Sequence, residues 1–393
     1  MILKEHNQSA GKKRKHAALA RPALGNFGRN EWAIIGAPCD DIKAMAKQLL
    51  TALSPAKIAC VDASHADEAD TLNAPAEGAA LTYTTYHNRQ ELHYQGQLNA
   101  FQNRQLFNGS DMILVNGNHH QAKKQVVIID SRKKASLQKR LTQLTDVRLF
   151  LLADGENGLY DFVKEAIPAW QQVPVYGLNE TGRIIQFFKD ALQQSVPLLN
   201  GLVLAGGKSE RMGQDKAAIN WHRKEQRYHM ADLLKNYVDE VYISCRTDQQ
   251  QAVDPAYPAI ADTFTGLGPF GAILSAFREQ PERAWLVVAC DLPLLDKTTL
   301  DFLTAHRDTS AVATTFESPH DGFPEPLITI WEPKSYPVLL SFLAQGYSCP
   351  RKVLINSDAR IVQPPQPTAL MNVNTPEELE QAKALLQQKT INA

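Results

Sequence analysis

Short apolar runs alternate with longer amphipathic stretches along the whole chain, and this rhythm restricts the possible folds more than any other feature. A run of four to six apolar residues suits a strand buried on both faces, and an amphipathic stretch of ten or more suits a helix with one face to cover. Their alternation predicts a mostly parallel sheet with helices on both sides. In the first half, strands are expected at 32–35, 58–61, 112–115, 126–129, 149–152 and 173–176, and helices at 42–53, 135–144 and 181–192. Ser195-Val-Pro197 interrupts the rhythm, and a new cycle begins at Leu198. A chain of 393 residues exceeds one ordinary core, so two three-layer αβα domains are expected, 1–195 and 197–393. The second should hold strands at 201–205, 241–244, 259–262 and 285–289 and helices at 227–237 and 270–278. A last helix starts with Thr375 as N-cap, Pro376 at its first position and Glu378 where a capping-box acid belongs.

Composition removes several function classes. The net charge is -1, which gives no general attraction for nucleic acid or an acidic membrane. The basic run Gly11-Lys-Lys-Arg-Lys15 is a local exception, read as a solvated chain end. Five cysteines, Cys39, Cys60, Cys245, Cys290 and Cys349, include no Cys-x-x-Cys pair, against a disulfide framework or a zinc knuckle. With no apolar signal core and no run near the ~20 residues that span a bilayer, a cytoplasmic protein is expected.

Most chemical information lies in Leu204-Ala-Gly-Gly-Lys-Ser-Glu-Arg-Met-Gly-Gln-Asp-Lys216. It follows a buried strand, so it lies at the carboxyl edge of the sheet, where open α/β folds bind ligands. Gly206 and Gly207 let a ligand approach the backbone, whose N–H groups can cradle anionic oxygens. Lys208, Arg211 and Lys216 add positive charge suited to a triphosphate. The spacing is neither a Walker A loop nor a dinucleotide fingerprint. The segment resembles the signature of the MobA-type nucleotidyltransferases, Leu-Ala-Gly-Gly-x-Ser-x-Arg-Met-Gly-x-Asp-Lys, and meets every fixed position of it.

Three further segments resemble that family in the same order. Asp262 precedes Gly266-Leu-Gly-Pro-Phe-Gly271, similar to an Asp followed by a Gly-Pro-Leu-x-Gly loop, with Phe270 as a departure. Trp285-Leu-Val-Val-Ala-Cys-Asp-Leu-Pro293 is a buried strand ending in Asp291, where the family places its metal-binding aspartate. Met371-Asn-Val-Asn-Thr-Pro-Glu-Glu-Leu379 resembles Asn-x-Asn-Thr-Pro-Glu-Asp-Leu.

The resemblance implies a Rossmann-like nucleotidyltransferase fold for 197–393 and a guanylyltransferase that joins GTP to molybdopterin with Mg²⁺, releasing pyrophosphate. It implies catalytic roles for Arg211, Lys216 and Asp291, with Asp291 as metal ligand. It assigns the nucleotide to Leu204, Ala205, Gly206, Gly207, Lys216, Ser244, Asp262 and Asp291, and the acceptor to Arg211, Gly268, Asn372 and Asn374. Ser244 stands where the family often has Asn. The Gly206-Gly207 pair resembles guanine-selecting members, whereas cytidylyl enzymes tend to read Leu-Ala-Ala-Gly. Molybdoenzymes or other cofactor-biosynthesis proteins are the implied protein partners. A cytidylyl or sugar-phosphate transferase stays open, as does a nucleotide-sensing regulator without catalysis; retention of Lys216, Asp291 and the whole loop argues against the latter.

The first half resembles MobB-type P-loop proteins in layout. Strand 32–35 runs into Gly36-Ala-Pro-Cys-Asp-Asp-Ile-Lys43 and a helix. The phosphate-loop frame is not met, because from Gly36 the second glycine is Asp41, the lysine Ile42 and the hydroxyl residue Lys43. A slip of one residue turns a side chain by about 100° around a helix axis, and Asp40 and Asp41 repel phosphate. Asn116 replaces that family's acid. This half reads as a P-loop-like fold without nucleotide hydrolysis, which docks on the second half or presents the acceptor to it. His119 and His120 read as surface residues.

Overall fold

A computed structural model describes residues 19–64, 78–206 and 216–391, with Lys216 and the last three of these by backbone alone. The basic run at 11–15, together with Gly207, Lys208 and Arg211, lies outside the described residues.

The first half forms β1 (Glu31–Ile35), β2 (Ile58–Val61), β3 (Leu81–Thr85), β4 (Gln90–Tyr94), β5 (Met112–Asn116), β6 (Lys124–Ile129), β7 (Val147–Leu152) and β8 (Val175–Gly177). Six of them make a sheet in the order β2-β5-β1-β6-β7-β8, with every pair parallel. Every residue of β1 and β5 is buried, as a parallel sheet covered on both faces requires. Helices Cys39–Ala52 and Thr181–Gln194 cover one face through Ile42, Met45, Leu49, Ile184 and Phe188. Leu137, Leu159 and Val163 cover part of the other face, and Phe27 with Ala122 another part.

These strands start and end within two residues of the sequence expectation. The helix expected at 135–144 does not form as one element. It splits into a helix at Lys134–Gln138 and a 3-10 turn at Leu141–Gln143. The Arg140 guanidinium donates to the Ser136 carbonyl at 3.1 Å, and the Arg140 N–H turns to Leu137 O at 2.9 Å instead. The separate hairpin β3–β4 and the helix Ala100–Leu106 were not anticipated.

The second half forms β9 (Leu199–Leu204), β10 (Val241–Cys245), β11 (Ala259–Ala261), β12 (Ala284–Ala289), β13 (Ala313–Glu317), β14 (Pro324–Trp331) and β15 (Ala359–Val362). Their order is β11-β10-β9-β12-β14-β13-β15. The first four are parallel and follow the Rossmann sequence, third-second-first-fourth, whereas β14 runs antiparallel to both neighbours. Helix Pro269–Glu279 packs Phe270, Ile273, Leu274 and Phe277 against Trp285 and Trp331 on one face. Met230, Leu234, Leu300 and Leu303 fill the other face. Both halves are three-layer α/β units.

The two halves meet through the amino-terminal edges of their sheets. Arg29 and Asn30 precede β1, Lys57 precedes β2 and Asp111 precedes β5. Across from them, Glu282 precedes β12, Ser310 precedes β13, Asp358 precedes β15, and Lys334 follows the reversed β14. Asp111 is the centre of the contact. One of its oxygens pairs with Lys334 Nζ at 2.7 Å; the other accepts from Ser310 Oγ at 2.6 Å and from the Lys57 N–H at 2.8 Å. Both side chains of the pair are nearly buried, at 11% and 12% exposure, so this ion pair is shielded from solvent screening. Lys57 also pairs with Asp358, and Arg29 with Glu282 at 3.4 Å. With amino edges together, the two carboxyl edges face opposite poles. Strands of five and six residues on the two sides put them on the order of 30 Å apart. The first half thus contacts the second through Asp111, Lys57 and Arg29.

Among the described residues, no helix is long and apolar enough to cross a membrane.

Candidate active site at the carboxyl edge of the second sheet

Four adjacent strands, β11, β10, β9 and β12, end side by side at one edge, and each delivers residues singled out from sequence. Leu204 ends β9, aligned with Ser244 of β10 and Ala289 of β12. The Ala205 N–H continues the ladder to Ser244 O at 3.0 Å, and Gly206 follows. Asp262 follows β11, with its N–H on Cys245 O at 2.9 Å. Asp291 lies just beyond β12. Asn372 and Asn374 reach the same place from far along the chain, because the Val373 N–H between them donates to Asp291 O at 2.9 Å.

Asp262 and Ser244 act as a pair. Ser244 is 1% exposed, and its hydroxyl donates to Asp262 Oδ1 at 2.7 Å. Burial pushes the Asp262 carboxyl above the usual carboxylate range, and the Ser244 hydroxyl opposes that rise without cancelling it. The Ser244 hydroxyl is thus engaged with Asp262, which it orients. A Cβ on Gly206 would stand 3.4 Å from Asp262 Oδ2 and from the Arg246 nitrogen, which is ordinary contact. Among the described residues, alanine at 206 therefore meets only ordinary contacts.

The loop before helix Pro269–Glu279 requires its glycines. Gly268 is the N-cap at φ 55° and ψ -136°, a conformation open chiefly to glycine. A Cβ on Gly271 would stand 2.1 Å from the Phe264 carbonyl oxygen, so the helix start is pressed on the loop backbone. The last helix begins as expected: Thr375 Oγ1 accepts from the Glu378 N–H at 3.2 Å, and Glu378 Oε2 accepts from the Thr375 N–H at 3.0 Å. Glu378 also takes the Asn374 N–H at 2.6 Å, which fixes the asparagine segment beside Asp291.

Sequence reasoning passed over His222 and Gln226, which face the turn after Asp291. His222 Nε2 lies 3.0 Å from Pro293 O, and Gln226 Nε2 donates to Leu292 O at 3.4 Å. The His222 ring stacks on His229 with centroids 3.8 Å apart. Neither histidine belongs to a motif, so only the fold reveals them. Burial, together with the nearby His222, lowers the His229 pKa to about 4 from an ordinary 6.5. The unfolded chain binds that proton near pH 6.5 and the folded chain only near 4, so stability is lost as pH falls through this window. A urea midpoint that declines from pH 7 to 4.5 in the native chain is expected to decline less in His229→Phe, which keeps a stacked ring and removes the titration. Parallel declines would assign the acid sensitivity to other groups.

The corresponding edge of the first sheet is built differently. Arg132 joins Asp41 and Asp130, both at 2.6 Å. Lys43 Nζ lies 3.4 Å from Asp62, whose other oxygen accepts from Asn116 Nδ2 at 2.8 Å. The lysine and the acids are thus paired with one another. A cavity of about 150 Å³ lies beside them, lined by Ile42, Ala46, Leu50, Cys60 and Leu114 among others. His119 and His120 have partners, Cys39 Sγ and Asp62 O, each at 3.3 Å.

The Rossmann-type strand order and an edge carrying a glycine loop and two strand-end aspartates define a nucleotidyltransferase domain. Residues 201–361 match the family described as the MobA-like NTP transferase domain. A molybdenum cofactor guanylyltransferase of Shewanella amazonensis is 30% identical over 199 residues, 48% of this chain and 98% of its own length. The molybdenum cofactor biosynthesis bifunctional protein of Synechocystis is 35% identical over 184 residues, and that match spans 47% of this chain and only 53% of the relative. A crystal structure of molybdopterin-guanine dinucleotide biosynthesis protein A from Archaeoglobus fulgidus aligns at a TM-score of 0.40 and 21% identity, over 48% of this chain and 99% of that one; the fold assignment rests on the strand order instead. The chain belongs to the molybdenum cofactor guanylyltransferase family, whose members are nucleotidyltransferases.

Proposed function

We propose that this chain transfers GMP from GTP to the terminal phosphate of molybdopterin and releases pyrophosphate. The observation that carries the reading is the convergence of Gly206, Asp262, Asp291 and the Asn372–Asn374 segment on one sheet edge. A phosphate monoester has its second pKa near ~6, so the acceptor oxygen is already largely anionic at neutral pH and no general base is needed. The task is to position two anions and offset their charge. Gly206 and Gly207 leave room for the nucleotide against the backbone, and Asp262, oriented by Ser244, is placed to accept from the base or ribose. Arg211 and Lys216 are assigned to the triphosphate and the acceptor phosphate. Gly268, Asn372 and Asn374 are assigned to the acceptor side.

Asp291 is assigned as the ligand of Mg²⁺. Among the described residues there is no cluster of three acidic, histidine or cysteine side chains. One or two carboxylates at the edge fit an ion that is held mainly by the substrate's own phosphates, which is how Mg²⁺ binds in many nucleotide sites. When bound, the ion supplies positive charge to the phosphate oxygens.

The first half is proposed to be a docked P-loop-like domain without nucleotide hydrolysis, because Lys43, Asp41 and Asn116 are already engaged at the edge where phosphate would bind.

Base choice is tested by binding GTP, CTP, ATP and UTP with Mg²⁺. GTP is expected to bind tightest. Gly206→Ala should keep the native melting temperature and lose the preference for GTP over CTP, because among the described residues its methyl group makes only ordinary contacts while it narrows the room for the nucleotide. A native preference for CTP would replace the guanylyl reading with the cytidylyl one.

A further inference from the structure

The turn that carries Asp291 is held from outside the strand. Its three consecutive carbonyls each accept a hydrogen bond from outside the turn, two of them from the 222–226 segment: Asp291 O from the Val373 N–H at 2.9 Å, Leu292 O from Gln226 Nε2 at 3.4 Å beside the local Leu295 N–H at 3.3 Å, and Pro293 O from His222 Nε2 at 3.0 Å. Backbone hydrogen bonds alone would let the chain leave β12 in several directions. Two side chains and one distant backbone group restrict it to one.

We infer that His222 and Gln226 are positioning residues for the metal-facing carboxylate, setting the aim of Asp291 without touching substrate. The inference rests on the proposed role of Asp291. The cost of keeping these groups supports it. Gln226 is fully buried, and its Oε1 meets no donor among the described residues. A buried amide with an unmet oxygen is destabilising by itself. His222 is held in place by stacking on His229, with ring centroids 3.8 Å apart. Groups that orient a metal ligand without contacting the ion commonly govern tenfold or more of its affinity.

The test uses the full chain with His222→Ala, His222→Gln, Gln226→Leu and Asp291→Asn. Mn²⁺ affinity in the presence of GTP is read from loss of the free-ion magnetic resonance signal, with melting temperature followed in parallel. His222→Ala and Gln226→Leu are expected to weaken Mn²⁺ binding about tenfold. His222→Gln, whose amide can still donate to Pro293 O, should recover most of the loss. The loss should not track melting temperature across the set. Native Mn²⁺ affinity in both His222→Ala and Gln226→Leu, with Asp291→Asn impaired, would overturn this inference alone. Native affinity in Asp291→Asn would overturn it together with the metal assignment beneath it.

Discussion

Asp291→Asn is expected to reduce nucleotidyl transfer by about a hundredfold or more, the scale set by removing one charge-stabilising group from a reacting centre. The backbone of residue 291 should keep its place, because its carbonyl and the next two are held by Val373, Gln226 and His222. The substitution changes one charge and almost no volume, so the melting temperature should remain near native. Pyrophosphate release from GTP and molybdopterin measures the effect. A variant with native turnover would move the metal to another group, and Asp262 is the next carboxylate on that edge.

Asp111→Ala is the second large effect, and it falls on the fold. Lys334 would stay nearly buried with its partner gone, and Ser310 Oγ and the Lys57 N–H would lose an acceptor. Removing one member of a buried ion pair costs about 3–5 kcal/mol, and the slight exposure here favours the lower end. For units of this size that corresponds to a fall in melting temperature of roughly 6–12 °C. Since the candidate site is at the opposite edge, the KM for GTP should not change at temperatures where the variant is folded. Heat stability and KM measured on the same preparation check both parts. A large change in KM with little loss of stability would mean that the two halves communicate through this contact.

How much of this was legible in the sequence depended on how local each cause is. Strands such as Met112–Asn116 and Ala284–Ala289 are largely apolar runs whose burial follows from composition alone. The start of the last helix was legible because Thr375 and Glu378 cap it within four residues. The helix expected at 135–144 had the right spacing of leucines and failed because one side chain, Arg140, takes a carbonyl the helix needed. The reversal of β14 and the elements from Lys297 to Ile355 left no local signature, since β14 is set by its neighbours in the sheet.

The site divides in the same way. The glycine loop, Asp262 and Asp291 stood out through a motif at strand ends. Ser244 was found by its position, and only the fold shows its hydrogen bond to Asp262. His222, Gln226 and the Asp111 contact were illegible because each acts across 66 or more residues, on partners no spacing rule connects. The same is true of the joining of the two halves through their amino edges.

The most direct test of the central claim is product identification. The purified full chain would be incubated with GTP, molybdopterin and Mg²⁺, and the products followed by mass spectrometry and a pyrophosphate assay. The account predicts a guanine dinucleotide of molybdopterin formed in equal amount to pyrophosphate, and none when GTP is replaced by CTP. Pyrophosphate without the dinucleotide, or a cytosine dinucleotide formed in preference, would contradict it.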